Sequence, residues 1–405
     1  MCDINDNGVE EEWEDDVEWS NKAEMDDLIA KSKQCKQWPK SQTAPEPTVP
    51  VSVLFPNRNF PEGQICDYTT SRRNDKEAQS REEEFEKELV DARKAAEVHR
   101  QARQWTRSWV KPGMNLQYIC ESMENKVREL LQSDGLEGGL AFPTGCSINE
   151  IIAHYTPNPG EERVLQENDV LKLDLGVHVN GRIIDSAFTM CFNPVFQPLL
   201  DAVRDSTEAG VRIAGVDVRI CEIGEAVQEV MESSEIEIGG TTSSIKCVSD
   251  LCGHNICQYK IHGNKRVPII KNNVKEKMEE GEFFAIETFG STGPGYCMDM
   301  DGCSHFMRNY EAPPKVDPSV LNRSDLKVID VIQRNFGTLA FCPRYVERID
   351  SNLKYQKTIN KLVHLGLLND YPPLTDVDGS FTSQFEHTIA IRPTCKEVLS
   401  RGDDY

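Results

Sequence analysis

Apolar residues recur every three or four positions from about Ser80, with Phe85, Leu89, Ala92, Ala96 and Trp109 on one face. That period predicts a long amphipathic helix. Lys111-Pro112-Gly113 breaks it. Asn115 can cap a second helix that turns Ile119, Met123, Val127, Leu130 and Leu131 inward, and the glycines from Gly135 to Gly139 should end it. From Leu140 the pattern turns β-like, with strand and turn signals through 190. A helical pattern covers 197–235, and strands return near 283–289 and 385–392. Two further helical patterns lie between those strands. One follows Ser324 through Leu326, Ile329, Ile332 and Phe336, and the other runs through Ile359, Leu362 and Val363. Residues 51–75 mix apolar pieces with Pro and Asn and read as an extended segment laid over a body. The whole predicts an α+β domain without internal repeats.

The sharpest local signal is Val170 to Phe188. Leu171, Leu173, Leu175, Val177 and Val179 alternate, and Asn180-Gly181 follows. Alternation ending in Asn-Gly marks a β-hairpin. With those two as loop residues, Val179 pairs with Arg182 and Asp174 with Ala187. Asp185 then shares a face with Asp174, one diagonal step of about 7–8 Å away. Like charges so close cost energy unless a cation lies between them. The alternative is a pair of solvated strand carboxylates.

Charge changes the picture at the N-terminal end. The net charge is −22, and residues 1–30 hold twelve acids against one base, Lys22. That block contributes −11, half of the total. It repels itself and buries little, so residues 1–50 are expected to form a disordered acidic tail, with a body at 51–405. Trp13 and Trp19 leave room for a short docking motif. The acidity argues against nucleic-acid binding, which needs a basic face. No apolar run is long enough for a membrane helix. The opening Met1-Cys2-Asp3-Ile4-Asn5-Asp6 lacks the features of a secretory leader. The fourteen cysteines are scattered without CxxC spacing and read as thiols in a reducing compartment, not as a disulfide framework or zinc ribbon.

Three later features extend the carboxylate pair. His254 sits in Leu251-Cys252-Gly253-His254, and Glu287 and Glu386 each interrupt an apolar run. A Glu in such a run needs a partner. Four carboxylates can balance two divalent cations. Oxygen-rich ligation with a single imidazole suits Mn, Fe, Co or Zn. Two such ions about 3.5–4 Å apart can generate a hydroxide nucleophile and polarise a carbonyl.

The order Asp174, Asp185, His254, Glu287, Glu386 resembles the metal-ligand set of the methionine aminopeptidases. The strings Gly-Leu-Ala-Phe-Pro-Thr-Gly (139–145), Ala-His-Tyr-Thr-Pro-Asn (153–158), Gly-Arg-Ile-Ile-Asp (181–185), Ile-Glu-Thr-Phe-Gly-Ser-Thr-Gly (286–293) and Gln-Phe-Glu-His-Thr (384–388) resemble the type 2 enzymes, as does the ending Arg401-Gly402-Asp403-Asp404-Tyr405. The resemblance covers roughly residues 50–405. It implies the pita-bread (creatinase/aminopeptidase) fold, two pseudo-symmetric α-β halves closing over a dimetal pocket. It implies that Asp174 chelates one metal, that His254 and Glu287 hold the other, and that Asp185 and Glu386 bridge. The 99 residues between Glu287 and Glu386 match the helical insertion of type 2 enzymes, here 307–372.

The resemblance also implies roles for other residues. His154 is similar to the pocket histidine that contacts substrate and is alkylated by fumagillin-type epoxides. His262 is similar to the histidine that binds the scissile amide and steadies the tetrahedral intermediate. Glu287 would double as the proton shuttle. Phe142, His305, Tyr371 and Leu374 resemble residues lining the methionine pocket or its rim. The implied activity is removal of the initiator methionine from nascent proteins with a small second residue, by a monomer in the cytoplasm. The nucleophile would be a hydroxide bridging the two metals. The resemblance also implies ribosome association through a polybasic block next to an acidic one, and this chain departs from that pattern: the acids are present, but only the dispersed Lys31, Lys33, Lys36 and Lys40 follow, which argues against the contact. The alternatives are a weak or inactive binding protein of the same fold and a prolidase-like enzyme. Tyr296 to Met300 and Asn255 to Cys257 depart from the family's usual residues and are expected to reshape the pocket edge.

The remaining candidates have plainer readings. His178 shares the Asp174 face but reads as structural. His387 points away from Glu386 by strand alternation. His99 and His364 read as surface or helix-packing residues, and Cys252 and Cys257 as core thiols.

Overall fold

The computed structural model describes residues 38–44, 46–309 and 320–405. Most of the acidic segment, with Trp13, Trp19, Lys31, Lys33 and Lys36, lies outside the described residues. The body begins before residue 51. Val49 and Val51 are fully buried, and the Gln42 side chain donates to Gln101 and accepts from the Thr48 and Val49 N–H groups. Lys126 donates to the carbonyl of Pro47. The expected extended segment contains one short helix, Val51–Leu54, and strand β1, Gln64–Cys66.

The first long helix spans Lys76–Trp109. It starts four residues earlier than its apolar pattern, because Asp75 caps it by accepting from the Glu77 and Ala78 N–H groups. Phe85, Leu89, Ala92 and Ala96 are buried as the period predicts. Asn115 caps the second helix, Leu116–Leu131, which ends on Gln132 in the left-handed region rather than on the following glycines. Its predicted inner face is buried throughout; each large apolar side chain there contributes about 1.5–3 kcal/mol.

These helices cover a sheet made of β2 (Gly138–Leu140), β3 (Gly145–Ile148), β5 (Val170–Val179) and β6 (Arg182–Cys191), while β4 (Ile151–Ala153) leaves for a smaller sheet. The β5–β6 register has Val179 opposite Arg182 and Asp174 opposite Ala187, as the Asn-Gly turn predicts. The predicted helix at 197–235 is two helices, Gln197–Ile213 and Ile220–Glu232. A β7–β8 hairpin (Glu235–Ile238, Thr241–Ser244) and β9 (Lys246–Cys247) follow. The second sheet then forms from β10 (Cys252–Ile256), β11 (Arg266–Pro268) and β12 (Phe283–Ser291). It is completed by β17 (Thr382–Ile391) and β18 (Lys396–Val398), in the order β1-β18-β17-β12-β10-β11. Each half is thus an antiparallel sheet backed by a helix pair, the pita-bread arrangement.

Between β12 and β17 come β13 (Met298–Asp299), β14 (His305–Arg308), helices Arg323–Asn335, Pro343–Ile349 and Gln356–His364, then β15 (Leu368–Tyr371) and β16 (Leu374–Thr375). The cap of the first of these helices is Asn322, not Ser324. Its capping-box partner Asp325 is buried against Thr358 and Lys361. That rotation leaves Leu326 exposed, contrary to the pattern, and buries Val328 and Val331. Of its two readings His99 takes helix packing, fully buried beneath the first long helix against the Leu175 and Ser186 carbonyls, whereas Cys257 is exposed rather than in the core. Cys257 lies just past the end of β10, where its backbone pairs with Lys260 in a turn. Among the described residues no helix is long and apolar enough to cross a membrane.

Candidate metal centre

Each of the five expected ligands is carried by a strand. Asp174 and Asp185 come from the β5–β6 hairpin, where Asp185 pairs with Gly176, one diagonal step from Asp174. His254 on β10 pairs with Ala285 of β12, and Glu287, two residues further along β12, pairs with Glu386 of β17. Gly253 permits this approach, since a Cβ there would sit 2.4 Å from the Ala285 carbonyl oxygen. Ligand atoms of Asp185, His254 and Glu386 all lie within 4.8 Å of one another. His254 Nε2 is 3.6 Å from both Asp185 Oδ2 and Glu287 Oε1.

Burial pushes the Asp174 carboxyl up to about 6, opposed by the hydrogen bond it accepts from Gln384. Asp185, Glu287 and Glu386 are pushed well above the carboxylate range, by burial first and then by neighbouring carboxylates: Asp174 acts on Asp185, Asp185 and Asp174 on Glu287, and Asp185, Glu287 and Asp174 on Glu386. Burial takes His254 down to about 4, so its imidazole is neutral at neutral pH. Its Nδ1 lies 3.4 Å from the Asn255 carbonyl, which favours the proton there and leaves the Nε2 lone pair facing the carboxylates. Asp174 Oδ1 and both Glu386 carboxylate oxygens are buried without a hydrogen-bond partner. Unpaired buried acceptors are expensive. These residues fit divalent cations, which would answer those oxygens and reverse the preference for protonated carboxyls.

A chain of rings leads away from this cluster. His262 meets His254 edge-on at 4.5 Å between centroids, and Tyr371 lies 6.3 Å from His262. His154 lies 5.9 Å from Tyr371 and 6.1 Å from His305. The ring of His305 meets the Pro143 carbonyl at 3.3 Å. Leu374 pairs with Ala153, the residue before His154, and Phe142 lies against Gly176, where any Cβ would collide with its ring. His154 itself has φ 62°, a strained value for a non-glycine residue and one that clusters at functional sites. His178 and His387 take no part in the cluster. His178 accepts from the Gly181 N–H, and His387 pairs with Ser400 on the opposite side of β17.

Several supporting residues escaped the sequence reading. Gln384 and Thr388 share the Glu386 face of β17, a period-two signal that was legible. Arg344 was not legible. It donates two hydrogen bonds to Glu124 and others to Thr156 and Pro157, beside His154, and all three partners lie about 190–220 residues away.

Buried carboxylates gathered at the seam of two matching halves, with one neutral imidazole, define a pita-bread metallohydrolase. Residues 91–330 match the profile of metallopeptidase family M24. Methionine aminopeptidase 2 of Schizosaccharomyces pombe is 50% identical over 370 residues, covering 91% of this chain and 86% of that protein. A thermophilic Arx1 structure superposes with TM-score 0.65 at 17% identity, covering 78% of this chain and 91% of that one. A methionine aminopeptidase structure from Rickettsia prowazekii superposes with TM-score 0.52 at 17% identity, covering 79% and 98%. The chain belongs to metallopeptidase family M24, alongside the methionine aminopeptidases of type 2.

Proposed function

We propose that this chain is a methionyl aminopeptidase that removes the initiator methionine from nascent proteins whose second residue is small. The observation that carries the reading is the meeting of Asp185, His254 and Glu386 within 4.8 Å, in a chain with a type 2 relative at 50% identity. Asp174 would hold one divalent ion, His254 and Glu287 a second, with Asp185 and Glu386 between them. Mn, Co, Fe and Zn all suit these donors. When bound, such ions supply a water of lowered pKa and polarise a carbonyl.

The chain's own residues do the rest. His262 is kept neutral by burial and by its histidine neighbours, so it has one N–H to offer the scissile amide. Glu287, whose carboxylate faces the same cluster 3.6 Å from His254, would take up the proton released by the attacking water and pass it to the leaving amine. His154, His305, Tyr371, Phe142 and Leu374 would wall the slot for the methionine side chain. Residues 307–372 we assign as the helical insertion, whose Arg344 and Tyr345 brace that wall. We place the protein in the cytoplasm as a monomer meeting nascent chains near the ribosome. The twelve described cysteines, all free, suit that reducing compartment.

The test is a chelator-stripped preparation titrated with each divalent ion and assayed on Met-Ala-Ser and on an Ala-Pro peptide. Methionine release from the first, with no cleavage of the second, is the expected result. Turnover with no ion, or cleavage of the Ala-Pro peptide, would overturn the reading.

A further inference from the structure

Strands β6 and β17 carry Asp185 and Glu386, and among the described residues no backbone ladder joins them. Hydroxyls join them instead. Thr388 Oγ1 accepts from the Asp185 N–H at 2.8 Å and donates to the Asp185 carbonyl at 2.6 Å. Ser186 Oγ donates to the Glu386 carbonyl at 2.7 Å. Thr189 Oγ1 donates to the Gln384 carbonyl at 2.7 Å and accepts from its N–H at 2.8 Å. The separation of the two carboxylates is therefore set by side chains at the seam rather than by a sheet.

Tyr405 closes this seam on the side away from the carboxylates. Its phenol oxygen is 2.9 Å from Ser186 Oγ and 3.0 Å from the Ala187 carbonyl. Ser186 has one proton, which goes to Glu386, so the single phenol proton of Tyr405 is shared between Ser186 Oγ and the Ala187 carbonyl. Arg103 Nη1 lies 3.4 Å behind the phenol, and its guanidinium sits 4.3 Å over the ring. Arg103 is fully buried and is held in turn by Asp404 at 2.7 and 2.9 Å. The Tyr405 ring stacks on His387 at 4.9 Å and meets Phe385 edge-on at 5.6 Å. One side chain thus touches the neighbours in sequence of both Asp185 and Glu386. A run from Arg103 through Tyr405 and Ser186 to Glu386 forms a directed hydrogen-bond chain, in which each bond polarises the next.

We infer that Tyr405 is a positioning residue, which acts through Ser186 and His387 to fix the separation of Asp185 and Glu386 and hence the affinity of the centre for divalent ions. The inference rests on the metal reading proposed above. Tyr405 touches no reacting atom.

The experiment compares wild type, Tyr405→Phe, Tyr405→Ala, Ser186→Ala and Ser186→Thr, all full length and chelator-stripped. Each is measured for Mn²⁺ affinity by calorimetry, for kcat and KM on Met-Ala-Ser, and for metal-free Tm. Tyr405→Phe keeps the ring and loses one donor. It should weaken Mn²⁺ binding about three- to tenfold, the range of one net hydrogen bond, with kcat reduced, KM held and metal-free Tm lowered by no more than about 4 °C. Ser186→Ala should behave likewise, Ser186→Thr should restore binding, and Tyr405→Ala should lose more. Unchanged affinity and kcat in Tyr405→Phe and Ser186→Ala would overturn the inference, as would a loss confined to metal-free Tm. If wild type bound no Mn²⁺, the metal reading would fall and take this inference with it. The wild-type arm alone distinguishes that case.

Discussion

Glu287 and Glu386 stand directly opposite one another across the β12–β17 ladder. Like charges in that relation destabilise a sheet, and here Glu386 is buried and the Glu287 side chain only 12% exposed. Asp174 and Asp185 add to the same field. The strands are held together by the continuous ladder on either side of the pair, from Phe283–Ala390 to Ser291–Thr382. The sheet thus carries an electrostatic cost that protons or cations must relieve.

That cost has a sign in pH. Asp174 has a folded pKa of about 6 against an unfolded value of 3.8. Its stabilising contribution is complete below the unfolded value and is lost as pH rises through about 6. In metal-free protein, Asp174→Asn should therefore be more stable than wild type at pH 8, by on the order of 2–3 kcal/mol, with the difference vanishing near pH 4. Denaturant titrations at both pH values, with chelator present, check this. Divalent ions should reverse the ranking at pH 8, because wild type, with its full ligand set, gains more stabilisation from bound ions than the variant does.

Asp185→Ala removes a carboxylate with an oxygen within 4.8 Å of ligand atoms of both His254 and Glu386. Turnover should fall below detection and bound metal should drop, as read by peptide cleavage and by elemental analysis after desalting. Full activity in this variant would contradict the assigned role.

His154 occupies a left-handed backbone position. Asparagine tolerates that conformation, so His154→Asn should fold with little change in Tm. It should also lose covalent attachment of a fumagillin-type epoxide, checked by intact-mass spectrometry. An adduct persisting at another residue would count against His154.

Trimming separates two parts of the N-terminal region. Removing residues 1–37 should leave Met-Ala-Ser cleavage unchanged. Removing 1–50 takes away buried Val49 and the Gln42–Gln101 contact, and leaves Lys126 without its Pro47 acceptor. That second cut should lower Tm clearly in a thermal scan, while the first should not.

Arg344 and Glu124 form a buried pair at 2.9 Å. Arg344→Met strands the Glu124 charge and should cost about 3–5 kcal/mol in denaturant unfolding. Because Arg344 also donates to Thr156 at 2.7 Å, two residues past His154, KM for Met-Ala-Ser should rise in the surviving folded fraction.

Local signals read correctly where the chemistry was local. The Asn180-Gly181 turn dictated the hairpin register, and with it the common face of Asp174 and Asp185. The capping side chain of Asn115 and the period of Ile119, Met123 and Val127 fixed a helix and its buried face. The reading failed where a distant partner rotated or redirected an element. Asp325 turned its helix toward Lys361 and put Leu326 in solvent, and the turn after Ile256 carried Cys257 out of the core.

Residue order and type determined which side chains are available as ligands, because apolar runs interrupted by single acids demand partners. Tertiary structure alone decided how they meet. His254, Glu287 and Glu386 come together through strand pairing, and the seam between β6 and β17 is joined by Ser186, Thr189, Thr388 and Tyr405. Those hydroxyl contacts span roughly 200 residues of chain, and a hydroxyl carries no periodic signature that names its acceptor. Only the folded chain brings the two ends of each bond within reach.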